Sequence, residues 1–148
     1  MSPEEIFENA ERAEDSGDEQ DALRAWRELS IIRPEPLTLC RFAMLASKLG
    51  EYDEAERAFL LATEYDSGFA LGYEGLGLLA IDRGRFGDAE HFLRRSLQLE
   101  PSRRGYCLLG IALASLGRDP EARQSYLEAI KIDPDFEEAY YNLSLIHI

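Results

Sequence analysis

The feature that most constrains this chain is a period. "YEGLGLLAIDRGRFGDAEHFLRRSLQLEP" from Tyr73 and "YCLLGIALASLGRDPEARQSYLEAIKIDP" from Tyr106 align without a gap, and the next segment of this kind opens at Tyr140. The spacings are 33 and 34 residues. "LCRFAMLASKLGEYDEAERAFLLATEYDS" from Leu39 and "IFENAERAEDSGDEQDALRAWRELSIIRP" from Ile6 fall into the same frame. A fixed period of this length means one supersecondary unit used several times, each too small to bury both faces alone and so stacked on its neighbours. The frame divides the chain into four units, 3–35, 36–69, 70–102 and 103–136, and leaves 137–148 as the first helix of a truncated fifth.

Each unit reads as two helices joined by a tight turn. Gly17, Gly50, Gly84 and Gly117 mark the turn, where a residue past a helix end takes positive φ. Ser2-Pro3-Glu4-Glu5 is a capping box with proline at the first helical position, and Asp119-Pro120-Glu121 reads as a second start of the same type. Pro34, Pro101 and Pro134 close the second helices, because proline disfavours the helical conformation of the residue before it; Ser67 stands there in the second unit. Ala10, Ala43, Gly77 and Gly110 are expected to face Ala22, Ala55, Ala89 and Ala122, small against small, bringing the helices to the near end of the usual ~8–10 Å. Trp26, Phe59, Leu93 and Tyr126 form one bulky column around that contact, and Ile6, Leu39, Tyr73, Tyr106 and Tyr140 another.

These columns resemble the tetratricopeptide repeat, a helix-turn-helix whose signature runs aromatic, Leu-Gly, Tyr, then Ala, Phe, Ala and Pro. The fourth unit carries it best, with Tyr106, Leu109-Gly110, Ala122, Tyr126, Ala129 and Pro134; the first departs most, with Asn9 and Glu19 where large apolar and aromatic residues are usual. The resemblance implies an all-α fold, a right-handed α-solenoid of tandem helix-turn-helix repeats. It also implies a binding scaffold, in which the first helices of successive pairs line a concave groove for a peptide or helix of a partner protein. Read at three-and-four spacing, the expected groove residues are Glu4, Phe7, Glu11, Cys40, Met44, Glu74, Leu78, Arg104, Cys107, Ile111 and Tyr141. Among them Cys40, Met44, Leu78, Cys107 and Ile111 form an apolar stripe, suited either to a ligand or to packing against neighbouring helices. The family's carboxylate-gripping subclass, with Lys, Asn and Arg in the groove, is not expected, because these faces carry glutamates and apolar residues with only Lys48 and Arg104 positive.

Charge narrows the partner classes. Twenty-nine acids against sixteen bases give −13, which repels nucleic-acid backbones and anionic membranes. Unit by unit the balance runs −7, −3, −1 and 0. A basic segment of a ligand would be drawn to the end bearing Glu4, Glu11, Glu14 and Asp15; a solvated end cap explains the same charges. Two cysteines are too few for a disulfide framework, and with no apolar run near ~18 residues the expected location is cytoplasmic. Nothing resembles an activated nucleophile, a metal-ligand cluster or a cofactor motif, so no enzyme activity is expected of these residues. An adaptor or co-chaperone is the first function class. The second is the N-terminal recognition arm of a longer enzyme, since repeats of this family also precede glycosyltransferase, sulfotransferase and methyltransferase domains.

The chain ends in "EEAYYNLSLIHI". In frame, "EEAYYNL" opens a fifth repeat, and its uncovered apolar face would fray or form an artefactual dimer. "LSLIHI" also matches the translation of CTG TCT CTT ATA CAC ATC, a sequencing-library adapter. Residues 143–148 are on that expectation adapter-encoded, with His147 carrying no function and the natural chain continuing past Asn142.

Overall fold

The computed structural model describes residues 1–146, and the described chain is helical: α1 Pro3–Asp15, α2 Glu19–Ile32, α3 Pro36–Lys48, α4 Tyr52–Tyr65, α5 Ala70–Asp82, α6 Phe86–Leu99, α7 Arg103–Ser115, α8 Asp119–Ile132 and α9 Glu137–Ser144. His147 and its proposed loss of function lie outside the described residues. Two compact bodies result, Met1–Gly75 and the part from Leu76 onward, dividing within α5.

Local chemistry sets the helix ends. Ser2 caps α1: its hydroxyl accepts from the Glu5 N–H at 3.2 Å and donates to the Glu5 carboxylate at 3.3 Å, while Pro3 starts the helix. At the other end Gly17 takes φ 79°, its N–H reaching the Glu14 carbonyl at 3.1 Å and that of Asp18 the Ala13 carbonyl at 2.9 Å. This pair of crossed bonds is the Schellman motif, which satisfies carbonyls the helix leaves open. Gly50, Gly84 and Gly117 repeat it with φ of 85°, 73° and 77°. The second expected cap is corrected. Asp119 and Pro120 already lie inside α8, and Arg118 holds the cap position with no side-chain bond, leaving Asp119 to favour the helix dipole from the first turn. The side-chain caps unforeseen in the sequence are Asp18, accepting from the Asp21 N–H at 3.3 Å, and Ser102, accepting from the Gly105 N–H at 2.9 Å.

At the two glycines of the small column the space a Cβ would take is filled by a large side chain. A Cβ on Gly77 would lie 2.5 Å from Leu93 Cγ, and one on Gly110 2.5 Å from Tyr126 Cε1. Each glycine therefore seats the large residue of its own pair's second helix. Ala22, Ala55, Ala89 and Ala122 are fully buried. Small-against-large packing fills the volume more completely than two facing gaps would, which is what close-packed interiors require.

In the first body α2 packs on α1 and α3, and α4 packs on α3. Trp26 and Phe59 are its largest buried side chains, with Ile6, Leu29, Leu39 and Phe42 around them. Each such side chain contributes about 1.5–3 kcal/mol by leaving water. Trp26 keeps its polar edge satisfied, its indole N–H donating to the Glu14 carboxylate. In the second body α7 packs on α6 and α8, and α9 packs on α7 and α8 around Leu93, Cys107, Leu109, Leu113, Tyr126 and Ala139. The Tyr140 hydroxyl donates to the Pro134 carbonyl at 3.0 Å, yet its ring is 48% exposed, so at α9 the second bulky column is only half covered.

Candidate peptide groove

The first helices of the first body, α1 and α3, share a face with two hollows. Glu4, Phe7, Glu8, Glu11, Arg33, Glu35, Leu37, Thr38 and Arg41 surround a hollow of about 580 Å³ with Leu29 beneath. Phe7 meets Trp26 edge-on, ring centroids 5.4 Å apart at 89°, which fixes the ring while leaving it 37% exposed. Leu37, at the start of α3, is 55% exposed. Further along the same face Glu14, Glu19, Arg41, Met44, Leu45 and Lys48 line a second hollow of about 390 Å³, where Met44 is 43% exposed.

The carboxylates of this face are largely engaged. Arg33 donates to Glu4 at 2.9 Å, Arg41 to Glu11 at 3.2 Å and to Glu14 at 3.3 Å, and Lys48 to Glu19 at 2.6 Å. The hydrogen bond from Arg33 holds the Glu4 carboxyl below the usual range, and the bond to Glu19 raises Lys48. Arg41 does more than bridge: its guanidinium lies over Trp26 at 4.2 Å and Phe7 at 5.8 Å. Three of the four acids read as bait for a basic ligand thus already have a cation. A solvent-facing pair of this kind is worth only about 0–1 kcal/mol, so a ligand cation can exchange for the internal one.

The remaining groove residues scatter in burial. Cys40 and Cys107 are 0% and 1% exposed and offer no surface to a ligand, which corrects their place in the expected stripe. Burial pushes the Cys40 thiol up to about 12, and it also raises Cys107, whose sulfur accepts from Asn142 Nδ2 of α9 at 3.5 Å. The same column position that opens to solvent in α1, at Phe7, is roofed in α7 by the helix packed on it. Leu78 and Ile111 are half-buried against the second body's core, so of the five stripe residues Met44 alone is exposed. Glu74 is half-buried; Arg104 is exposed, and so is Tyr141 at 65%. The sequence reading missed Arg41 and Arg33. Their signal was present as acid–base pairs 27–30 residues apart, which one repeat places on adjacent helices.

Among the described residues no group of three His, Cys, Asp or Glu could hold a metal ion, and no helix is long and apolar enough to cross a membrane. His91 lies exposed on α6 with its ring edge-on to Phe92 at 5.8 Å.

Comparison with known proteins agrees with the helix pairs. A family model described as "Tetratricopeptide repeat" matches residues 40–104, and one described as "TPR repeat" matches 110–147. The chain is 29% identical over 116 residues to Protein CTR9 homolog of Arabidopsis thaliana and 25% identical over 72 residues to Protein O-mannosyl-transferase TMTC3 of Homo sapiens. These stretches cover 77% and 48% of this chain but only 11% and 8% of those proteins, so the chain spans about a tenth of their length. Among solved structures, MamA superposes with a TM-score of 0.83 over 97% of this chain and 79% of its own, at 23% identity. The first TPR of Spaghetti (RPAP3), bound to the HSP90 peptide SRMEEVD, superposes with a TM-score of 0.71 over 74% of this chain and 87% of its own, also at 23% identity. With all-helical architecture, glycine-turned pairs and these matches together, the chain belongs to the tetratricopeptide-repeat family as an all-α solenoid.

Proposed function

We propose that the chain is a protein-interaction scaffold, adaptor or co-chaperone in kind, that holds a peptide or helix of a partner protein against the first helices of its repeats. The repeats of this reading are 3–35, 36–69, 70–102 and 103–136, with 137–148 opening a fifth. The observation that carries it is the hollow between α1 and α3: two exposed apolar side chains, Phe7 and Leu37, inside a rim of four carboxylates and two guanidinium groups. An apolar anchor side chain fits the floor, and lysine or arginine beside it fits the rim. Family membership and a neighbour solved with a peptide support the same reading. The test is fluorescence anisotropy with labelled peptides that share one apolar anchor and carry either basic or acidic flanks. The basic peptide should bind more tightly and lose affinity in salt; equal affinity for both, unchanged by salt, sinks the proposal.

The match to TMTC3, a protein named as an O-mannosyl-transferase, favours a second reading, a recognition arm of a longer enzyme. The sequence downstream in the source transcript discriminates: a catalytic domain in the same reading frame selects the arm, and further repeats followed by a stop select the scaffold.

A further inference from the structure

The opposite side of the first body carries a second trough that the groove reading does not use. Its walls are α2 and α4, each packed on α3, and its floor is Leu39 and Phe42 of α3, 3% and 5% exposed. The trough has a volume of about 440 Å³. Its walls are apolar and open to water: Ile31 is 74% exposed, Tyr65 56% and Leu61 37%, with Pro34 beside them. Ile31, Leu61 and Tyr65 thus border one hollow from two helices, a set that one apolar ligand face could cover together.

Charge says what the partner is like. One end of the trough is closed by Arg27 of α2 and Glu54 of α4, joined by two parallel bonds of 3.0 and 3.1 Å, with the guanidinium 5.6 Å from the centre of the Phe42 ring. That pair cancels its own charge. Arg57, the next lining residue along α4, is exposed and has no partner among the described residues. The charged lining residues therefore sum to one positive charge, on a body whose acids and bases otherwise sum to strong negative charge. Length fits a helix. The lining positions 54, 57, 58, 61 and 65 recur at three-and-four spacing along one face of α4, a wall of about 16 Å at 1.5 Å rise per residue.

We propose that this trough is a second docking surface, taking an amphipathic helix of about three turns from a partner protein, with its apolar stripe on Ile31, Leu61 and Tyr65 and a carboxylate on Arg57. It is independent of the α1/α3 groove and prefers the opposite ligand charge.

The test uses the full chain, isotope-labelled for NMR, with two synthetic helices of about 14 residues. Both carry leucine at three-and-four spacing; one has glutamate beside the stripe and the other lysine. The glutamate helix should shift the signals of Ile31, Leu61 and Tyr65 and bind roughly fivefold more tightly, the scale of one exposed charge pair. Arg57→Glu should reverse that preference. Ile31→Asp, at a position 74% exposed, should abolish binding with the thermal midpoint unchanged. Binding by neither helix, shifts confined to Phe7 and Leu37, or an unaltered preference in Arg57→Glu overturns the proposal. So does a dimer in sedimentation that Ile31→Asp dissolves, since the occupant is then a second copy of the chain.

Discussion

At the scale of residues, Arg41 joins four side chains of the first body. It stacks on Trp26 and reaches toward Phe7 while bridging Glu11 and Glu14, so its aliphatic stem and planar head cover the indole from water. Arg41→Ala should cost about 1–2 kcal/mol in urea unfolding, the sum of one cation–π contact and two partly exposed ion pairs. Arg41→Lys should recover only part of that, because an ammonium keeps the charge and loses the stacked plane and the fork that holds two carboxylates at once. Equal stability of Arg41→Lys and the unaltered protein would mean that the ion pairs, and not the stacking, hold this side chain. Cys40 shows the reverse case. Met44, one turn further along the same expected stripe, opens to solvent, yet the Cys40 thiol is enclosed.

At the scale of elements, two kinds of glycine do different work. Gly50 sits at φ 85° with open space around its missing side chain, whereas Gly110 has ordinary helical φ and the Tyr126 ring 2.5 Å from where a Cβ would be. Gly50→Ala should cost about 1–2 kcal/mol from backbone conformation alone. Gly110→Ala should cost about 1–3 kcal/mol or more from overpacking. A double-mutant cycle separates them: Tyr126→Leu should relieve part of the Gly110→Ala loss and none of the Gly50→Ala loss, as measured by thermal and urea unfolding. The turn glycines were legible from the sequence because their role is local, a Schellman motif closed within a few residues. The partner of Gly110 was not, since spacing places both Ala122 and Tyr126 on the facing helix and only packing chooses between them. Asp119 failed as a cap for a similar reason: cap and first-turn residues look alike in sequence and differ by one backbone conformation.

At the scale of the whole molecule, the charge pairs set the response to acid. The carboxyls of Glu4, Glu121 and Glu128 are held down by hydrogen bonds from Arg33, Arg118 and Lys131, and that of Asp133 by the Asp135 N–H and Arg103. For Glu90 burial pushes upward, but the bonds from Arg118 and Arg94 outweigh it. A carboxyl depressed in the folded state stabilises the fold at pH above its unfolded value, near 4.3 for Glu and 3.9 for Asp, and loses that contribution as pH falls through the folded value. Asp82, raised by burial, acts in the opposite sense, the one raised carboxyl among the described residues. The thermal midpoint should therefore be flat above about pH 5 and fall steadily toward pH 3. A midpoint that rises over that interval would show that relief of the repulsion among twenty-nine acids outweighs the lost pairs.

The period, the helix pairs, the glycine turns and the all-α class were legible in the amino-acid order, because each is written in residues close together or at a constant offset. That order also held the charge pairs at 27–30 residue spacing, Arg27 with Glu54 and Glu90 with Arg118 between repeats, Glu4 with Arg33 and Arg103 with Asp133 within one. Tertiary structure decided which members of a face stay in water. Phe7, Leu37 and Met44 do, Cys40 and Cys107 do not, and Ile31, Leu61 and Tyr65 stand open on the far side where no pattern marked a site. Periodicity fixes the direction in which a side chain leaves its helix, but burial depends on what the next helix places over it, and that is a property of the packed pairs.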